Sequence, residues 1–276
     1  MLQICKLFGY SRQAHYKDQK RATALVMQQA IILKMVDQIR IEMPRIGVIK
    51  IYHMLQESMA QHGIKMGRDK LYDLLSYYGL LIRRKRRRKP ITTDSNHPFI
   101  KYKNLIKGMF VYRPDLIWVS DITYIRLTTG FCYLSLVTDV FSRKIVGYFL
   151  NKDLGSEGTI KALNMALSLC VRNKNTMLIH HSDRGLQYCC NEYITLLNDH
   201  NISISMTQNG DPYENAIAER VNGILKDEFN LGSTFKSIQE AQEILDQAVR
   251  KYNDQRPHLS LNLQTPKQVY QTHPLV

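Results

Sequence analysis

The stretch WVSDITYIRLTTGFCYLSLVTDVFSRKIVGYFL, residues 118–150, carries the strongest fold signal in this chain. It contains three runs rich in β-branched and aromatic residues, Trp118–Ile125, Cys132–Val140 and Lys144–Leu150. Thr129-Gly130 and Ser142-Arg143 separate the runs and have the composition of tight turns. The pattern predicts three consecutive strands joined by short connections.

Beyond these strands the pattern alternates between helix and strand. The predicted elements are a helix over 156–171, a strand at Met177–His181, a helix at Asn191–Asp199, a strand at Ser203–Thr207, a helix around Glu219 and a long helix over Ser237–Tyr252. Thr265-Pro266 is typical of the start of one more helix. Three strands followed by alternating helix and strand predict an α/β core of the RNase H-like kind.

Three acidic residues stand where this fold could bring them together. Asp121 falls in the first predicted strand, Asp183 follows the fourth, and the thirty-five residues 184–218 separate Asp183 from Glu219. Adjacent central strands would unite the two aspartates, and Glu219 would arrive from a helix. Because Mg²⁺ and Mn²⁺ prefer carboxylate oxygens, we predict that these three catalytic residues bind two such ions for phosphoryl transfer.

The helix that carries Glu219 is predicted to be two-sided. With 100° per residue, one side collects the apolar residues Ile217, Val221, Ile224 and Leu225. Glu219 lies roughly opposite, on the side that also carries Asn222, Gly223 and Lys226. The apolar side would dock the helix, and Lys226 would meet a phosphate bound near Glu219.

Each acid also has a plainer interpretation. A single Asp after a strand is commonly a turn or cap residue, and a single helical Glu commonly faces solvent. Asp139 and Glu214 are nearby acids without a comparable context. Asp139 is nevertheless the substitute candidate if Asp121 is not the first ligand. Tyr124 and Tyr188, which flank the acids, serve either packing or a hydrogen bond to phosphate.

The positive charge is concentrated in the N-terminal part of the chain. Residues 1–110 hold 22 Lys and Arg against 7 Asp and Glu, whereas residues 111–276 hold 16 against 17. Such a field favours nucleic acid as a partner. Helical periodicity over 23–42, Ile46–Gln56 and Arg68–Tyr78, with turns at His62-Gly63 and Gly79, predicts a small all-α helix-turn-helix-like module. We expect DNA binding from residues 1–82.

Seven consecutive cations follow that module and end at Pro90. They are Arg83, Arg84, Lys85, Arg86, Arg87, Arg88 and Lys89. Like charges at this density cannot pack together, so residues 83–98 are predicted to be a basic linker, either a simple tether or one that also tracks DNA phosphates. Residues 99–276 then form the catalytic domain with a C-terminal helical extension.

Composition narrows the class of protein. The five cysteines form no C-x-x-C pair, which favours a reduced, cytoplasmic chain. Adjacent Cys189-Cys190 lacks partners at the spacing of a structural zinc site. No window approaches 18 uninterrupted apolar residues, and the first ten residues do not form a leader, so we expect a soluble protein with no membrane partner.

The three acidic contexts resemble the D,D-35-E core of insertion-sequence transposases, in particular the second-frame protein of the IS-three family in the retroviral-integrase superfamily. The resemblance covers about residues 11–270 and includes Asp139–Gly147, Gln208–Ala216 and Tyr252–His258. Gly210 and Pro212 would shape the turn before the catalytic helix, and Asn215 would be its N-cap. Arg220 departs from the family, where Ser is common, and Arg256-Pro-His258 is either functional or a structural latch.

The resemblance implies a bacterial enzyme that cuts element ends by Mg²⁺-dependent hydrolysis and joins the 3′-OH to target DNA. It also implies that Lys226 contacts the DNA end, that the chain forms homo-oligomers on DNA at the nucleoid, and that an upstream-frame protein is a partner or fusion. Two alternatives remain open at this point: an RNase H-like nuclease that cuts without joining, and a non-catalytic DNA-binding protein derived from a transposase.

Overall fold

The computed structural model describes Gly9 and residues 11–82, 98–170, 176–208 and 215–272. The chain divides into two compact units, Met1–Arg84 and Lys85–Val276. The predicted basic linker lies almost wholly outside the described residues, as do Gly210, Pro212 and Glu214. No helix in the described ranges is both long and apolar enough to cross a membrane.

Within its described residues, the first unit contains three helices. Its helices are α1 (Arg12–Glu42), α2 (Val48–Gln61) and α3 (Arg68–Tyr77). Ile32, Val36, Ile51, Leu55 and Leu71 form part of its buried core. Gly63 and Gly79 follow α2 and α3 with φ of 65° and 67°, the left-handed conformation that glycine adopts readily after a helix. The helical prediction for this part of the chain is confirmed.

The start of α1 was predicted eleven residues too late. Ser11 caps the helix by accepting a 3.1 Å hydrogen bond from the Ala14 backbone N–H. Residues 16–28 are exposed, and the buried positions begin at Ile32. The prediction missed residues 12–22, which are exposed or only partly buried, because apolar periodicity reports burial.

The second unit is built on one mixed sheet. Its strands are β1 (Ile117–Leu127), β2 (Gly130–Asp139), β3 (Ile145–Asn151), β4 (Ile179–Ser182), β5 (Ser203–Met206) and the short β6 (Thr234–Phe235). The strand order is β3-β2-β1-β4-β5, and β6 pairs with β1. β1, β2 and β3 are antiparallel, whereas β4 runs parallel to β1 and β5 parallel to β4.

The described residues of the second unit contain six α-helices. They are α4 (Ser156–Leu169), α5 (Leu186–Cys189), α6 (Asn191–Asp199), α7 (Ala216–Glu228), α8 (Ile238–Asp254) and α9 (Pro266–Gln271). α4 packs closely on β3, since a Cβ at Gly147 would lie 2.1 Å from the Ala162 carbonyl oxygen. Thr265 and Gln268 form a capping box at the start of α9, as Thr265-Pro266 predicts.

Two apolar clusters fill the core of this unit. The larger surrounds Trp118 and includes Leu163 of α4, Tyr193 of α6 and Met206 of β5. The second joins Leu116, Val119 and Ile179 to Ala218 of α7. Both clusters include residues of β1, which is therefore packed on its two faces and held near the middle of the sheet. This mixed α/β sheet confirms the predicted fold class.

Candidate active site

The parallel pairing of β1 with β4 places Asp121 and Asp183 side by side. Ile117 pairs with Ile179, Trp118 with His180 and Val119 with His181, a constant offset of 62 residues. The same offset carried two residues beyond the last pair matches Asp121 to Asp183. Asp121 lies inside β1, and Asp183 is the first residue after β4. The pairing thus places two residues that are 62 positions apart in sequence side by side, at the carboxyl end of β4.

Asp121 is surrounded by like charge. Burial first, then the negative charge of Asp183 and, less strongly, that of Glu219 raise the pKa of its carboxyl to about 7, against the hydrogen bond from Asn222. Both other predicted residues therefore act electrostatically on Asp121. Such a cluster is costly for the folded protein, which is typical of residues kept for function.

Asp183 is held by the turn that follows β4. Its Oδ1 accepts a 3.0 Å hydrogen bond from the Gly185 backbone N–H. A Cβ at Gly185 would lie 3.0 Å from the same oxygen, so a larger residue would press on the carboxylate. The Ser182 hydroxyl also donates to the Asp183 carbonyl oxygen at 3.0 Å. This turn fixes the backbone on which Asp183 is presented.

Glu219 lies in the first turn of α7 and is exposed. Val221, Ile224 and Leu225 are buried, which confirms the predicted packing side of this helix. Ile217 is only half-buried, and Ala218 takes the buried place beside it. The helix is docked by a stripe that begins one residue later than predicted, and Glu219 is left outside it.

Two asparagines join α7 to β1, and sequence reasoning did not find their contacts. Asn222 Nδ2 donates to Asp121 Oδ2 at 2.8 Å, and Asn215 Nδ2 donates to the Ser120 carbonyl oxygen at 3.0 Å. Asn222 was predicted to share the open side of the helix with Glu219, yet it is 5% exposed. These two bonds, one turn before and one turn after Glu219, set the helix against the strand that carries Asp121.

The side chains fit a hard divalent cation by type. The site offers carboxylate oxygens and no sulfur, and the buried Asn222 Oδ1 has no hydrogen-bond partner among the described residues. Within the described ranges, no three His, Cys, Asp or Glu side chains are already gathered closely enough to form a metal site.

A neutral histidine underlies the site. His180 Nε2 lies 2.7 Å from Ser120 Oγ and 2.9 Å from the Tyr193 hydroxyl. Complete burial lowers the pKa of His180 to about 3, so the ring is uncharged at neutral pH. The Tyr188 ring packs against both His180 and Tyr193. Tyr188 is 2% exposed, which favours its packing interpretation over contact with phosphate.

Asp139, the substitute candidate, has a structural environment. Its Oδ1 accepts from the Asp115 backbone N–H at 2.9 Å. Its Oδ2 accepts from the Ser142 N–H at 2.7 Å and from the Ser142 hydroxyl at 2.6 Å. The residue is fully buried. The Asp115 N–H occupies Oδ1 and the turn between β2 and β3 occupies Oδ2, so Asp139 is not available as a ligand.

Arg256 forms a structural latch. Its guanidinium donates to both carboxylate oxygens of Glu228, from Nε at 2.8 Å and from Nη2 at 2.7 Å. Arg256 is 2% exposed, and Glu228 is the last residue of α7. The pair ties the end of the Glu219 helix to the segment after α8. Of the two interpretations of Arg256-Pro-His258, the structure favours the latch.

Only one of the residues predicted to contact DNA, Lys226, lies in the described part of the chain. Lys226 lies in the last turn of α7 and is half-buried, and its contact with DNA stays a prediction. The seven cations Arg83–Lys89 lie outside the described residues.

Comparison with known proteins gives matches to integrase core domains and to proteins of insertion elements. Residues 111–212 and 200–266 match two family models that share the description integrase core domain. The insertion element IS600 31 kDa protein of Shigella sonnei is 33% identical over 95% of this chain and 96% of its own length. The transposase InsF for insertion sequence IS3A of Escherichia coli is 32% identical over 63% of this chain and 58% of its own length.

Among solved structures, the simian T-cell lymphotropic virus intasome matches with a TM-score of 0.51 and 18% identity. The match covers 80% of this chain and 72% of that one. At this identity the likeness concerns the fold alone, and it agrees with the mixed sheet and its flanking helices.

Proposed function

The chain belongs to the IS-three family of insertion-sequence transposases, and we propose that Asp121, Asp183 and Glu219 are its catalytic, metal-binding residues. As a member of that family it is a polynucleotidyl transferase-type enzyme of DNA transposition and integration. The reaction proposed is hydrolysis at the 3′ ends of the element, followed by attack of the freed 3′-OH on target DNA.

One observation carries this proposal. The β1–β4 register sets Asp121 level with Asp183, and the charges of Asp183 and Glu219 both act on Asp121. Three carboxylates that repel one another at the edge of a sheet favour a divalent cation, because the ion converts the repulsion into shared attraction. The helix bonds of Asn215 and Asn222 support the arrangement by fixing the first turn of α7 beside β1.

The proposed cofactor is a pair of Mg²⁺ or Mn²⁺ ions. When bound, such ions polarise the phosphodiester and make the attacking and leaving oxygens reactive. Asp121 and Asp183 would hold them from the sheet and Glu219 from α7. Asn222 would orient the Asp121 carboxylate by its hydrogen bond to Oδ2.

The proposal also covers the domains of the chain and the residues that bind DNA. We propose that residues 1–82 form a helix-turn-helix-like DNA-binding module, that 83–98 are a basic linker and that 99–276 form the catalytic domain. Lys226 and the cations Arg83–Lys89 would contact phosphates. The protein would act as an oligomer on element ends and target DNA at the bacterial nucleoid, with an upstream-frame protein as partner or fusion.

Strand transfer tests the proposal. A pre-cut element end is incubated with plasmid and Mg²⁺, with the wild-type chain or its Glu219→Gln variant, each with and without the upstream-frame protein. Joined product from the wild type and none from Glu219→Gln is the expected result. Cleavage without joining would favour the nuclease. DNA binding with neither reaction in any combination would favour the non-catalytic binder.

A further inference from the structure

The segment of residues 98–113, which precedes β1 and contains neither helix nor strand, is here called the strap. Its sequence is PFIKYKNLIKGMFVYR, which contains four cations and no acid. In a second unit whose remaining charges nearly balance, this stretch is distinctive. From Lys101 to Lys107 exposed and partly buried residues alternate, so that all three lysines of the strap point outward.

The inward side of the strap is firmly packed. Phe99 and Tyr102 pack against the Trp118 cluster, whereas Ile106, Met109 and Val111 pack against the cluster that contains Ala218 of α7. The strap therefore passes from one apolar cluster of the sheet to the other. Arg113, the fourth cation, is used within the protein, since its guanidinium donates to the carbonyl oxygens of Pro114, Asp115 and Met177.

The strap passes beside β5, next to the end of β4. The part of the sheet that carries Asp121 and Asp183 is here called the carboxylate edge. The Met206 backbone N–H donates to the Lys103 carbonyl oxygen at 3.4 Å, and the Leu105 N–H donates to Ser205 Oγ at 2.9 Å. Met206 pairs with Ser182, the residue before Asp183. Lys101 lies two residues before Lys103 in the strap, and its charge acts on the buried thiol of Cys189, the last residue of α5.

The outward side of the strap combines cations with exposed aromatic rings. Phe110 is 80% exposed and Tyr112 is 58% exposed. Lys101, Lys103 and Lys107 form no ion pair with any residue in the described ranges. Large exposed rings cost solvation free energy and mark surfaces that a partner covers. Cations beside open aromatic faces suit a nucleic-acid strand, whose phosphates meet the charges and whose bases stack on the rings.

We propose that the strap is a DNA-binding surface that guides a strand to the carboxylate edge. Lys101 and Lys103 contact phosphates next to Asp183, Lys107 contacts a phosphate farther along the strand, and Phe110 and Tyr112 stack on unpaired bases. This inference rests on the proposed function for its ligand, DNA. It adds a binding surface distinct from Lys226 and from the Arg83–Lys89 run.

The test measures DNA binding without metal, so that it does not depend on catalysis. The full chain is titrated with a fluorescent single-stranded oligonucleotide and with the matching duplex in EDTA, at several salt concentrations. The variant replaces Lys101, Lys103 and Lys107 by Ala. A control of equal charge replaces Lys161, Arg250 and Lys267, which lie on α4, α8 and α9.

The strap variant is expected to reduce the slope of log affinity against log salt by about 2 for the single strand, because each lost phosphate contact removes about 0.7. Phe110→Ala and Tyr112→Ala are each expected to weaken single-strand binding about tenfold. Their effect on duplex should be smaller, because paired bases are not open for stacking. Circular dichroism of each variant checks that it remains folded.

A slope and affinity no different from those of the control triple would overturn the strap as a binding surface. Equal losses of duplex and single-strand binding in Phe110→Ala would overturn the stacking role. The two proposals separate cleanly. Normal strand transfer with an unaffected strap variant would contradict only the strap, whereas strap-dependent binding without strand transfer would contradict only the proposed reaction.

Discussion

Two groups of carboxylates around the first half of β1 differ in how fully they are hydrogen-bonded. Near the start of β1, Asp139 pairs across from Trp118 and accepts three hydrogen bonds, and Asp115 accepts from the Trp118 indole at 2.8 Å and from the Tyr270 hydroxyl at 2.6 Å. Farther along, Asp121 receives one side-chain hydrogen bond and faces two further acids. Asp139 and Asp115 stabilise the fold through these hydrogen bonds. Asp121 instead depends on the fold to keep it near the other two acids.

The largest expected effect comes from removing the fully hydrogen-bonded carboxylate of Asp139. Asp139→Ala leaves the Ser142 and Asp115 donors without their acceptor in a buried site, and should lower the free energy of unfolding by about 3 kcal/mol or more. Urea denaturation of the metal-free protein measures it. A loss below that of an exposed control such as Asp199→Ala would contradict the structural role of Asp139.

The buried His180, which contacts Ser120 next to Asp121, should make the free energy of unfolding depend on pH. Its pKa is near 3 when folded and near 6.5 when unfolded, so the unfolded state binds the proton first. The stability contribution of the neutral ring is complete above pH 6.5 and is lost as the pH falls towards 3. The expected loss is about 1.4 kcal/mol per pH unit below pH 6.

His180→Gln, which keeps polar atoms but does not titrate, should remove that part of the slope. Denaturation of both proteins between pH 7 and pH 5 measures the difference. Parallel curves for the two proteins would show that His180 is not held neutral by the fold.

Removing the charge of Asp121 should change the free energy of unfolding in the opposite direction to Asp139→Ala. Asp121→Asn removes one of three like charges and retains an oxygen that can accept from Asn222. It is expected to raise the free energy of unfolding of the metal-free protein at pH 8 by about 1 kcal/mol while abolishing joining. Destabilisation by this variant would mean that Asp121 serves the fold, as Asp139 does.

The smallest effect concerns the hydrogen bond to Asp121. Asn222→Ala should reduce strand transfer about tenfold and shift its Mg²⁺ dependence to higher concentration, because the carboxylate loses its orienting donor. Raising Mg²⁺ should recover much of the activity. A loss that extra Mg²⁺ does not change would indicate a folding defect, and Asn222→Asp, which adds charge beside Asp121, should be worse than Asn222→Ala.

Local pattern predicted much of this fold. The Asn191–Asp199 helix was predicted with the bounds that the structure has, and the order of strands and helices predicted the α/β class because burial leaves a periodic trace. The exposed half of α1 left no such trace, and β6 and α5 are too short to produce one. Element ends were therefore the least accurate part of the prediction.

The site was predictable where it depends on residue type and strand order. Parallel strands explain why Asp121 and Asp183 lie side by side, and this was predictable from one acid within a strand and another directly after a strand. The partners of those acids are not readable, because Asn222 and Asp121 are 101 residues apart and meet only through packing. In the same way, only the folded turn shows that the oxygens of Asp139 are already occupied. The metal-binding roles of Asp121, Asp183 and Glu219 stay a prediction.

Metal binding tests that central prediction most directly. Electron paramagnetic resonance of free Mn²⁺, titrated against the protein with an element-end duplex, counts the ions bound. The account predicts two ions per chain for the wild type and for the exposed-acid control Asp199→Asn, and a loss of binding in Asp121→Asn and Asp183→Asn. Mn²⁺ binding by Asp121→Asn and Asp183→Asn equal to that of the wild type would contradict it.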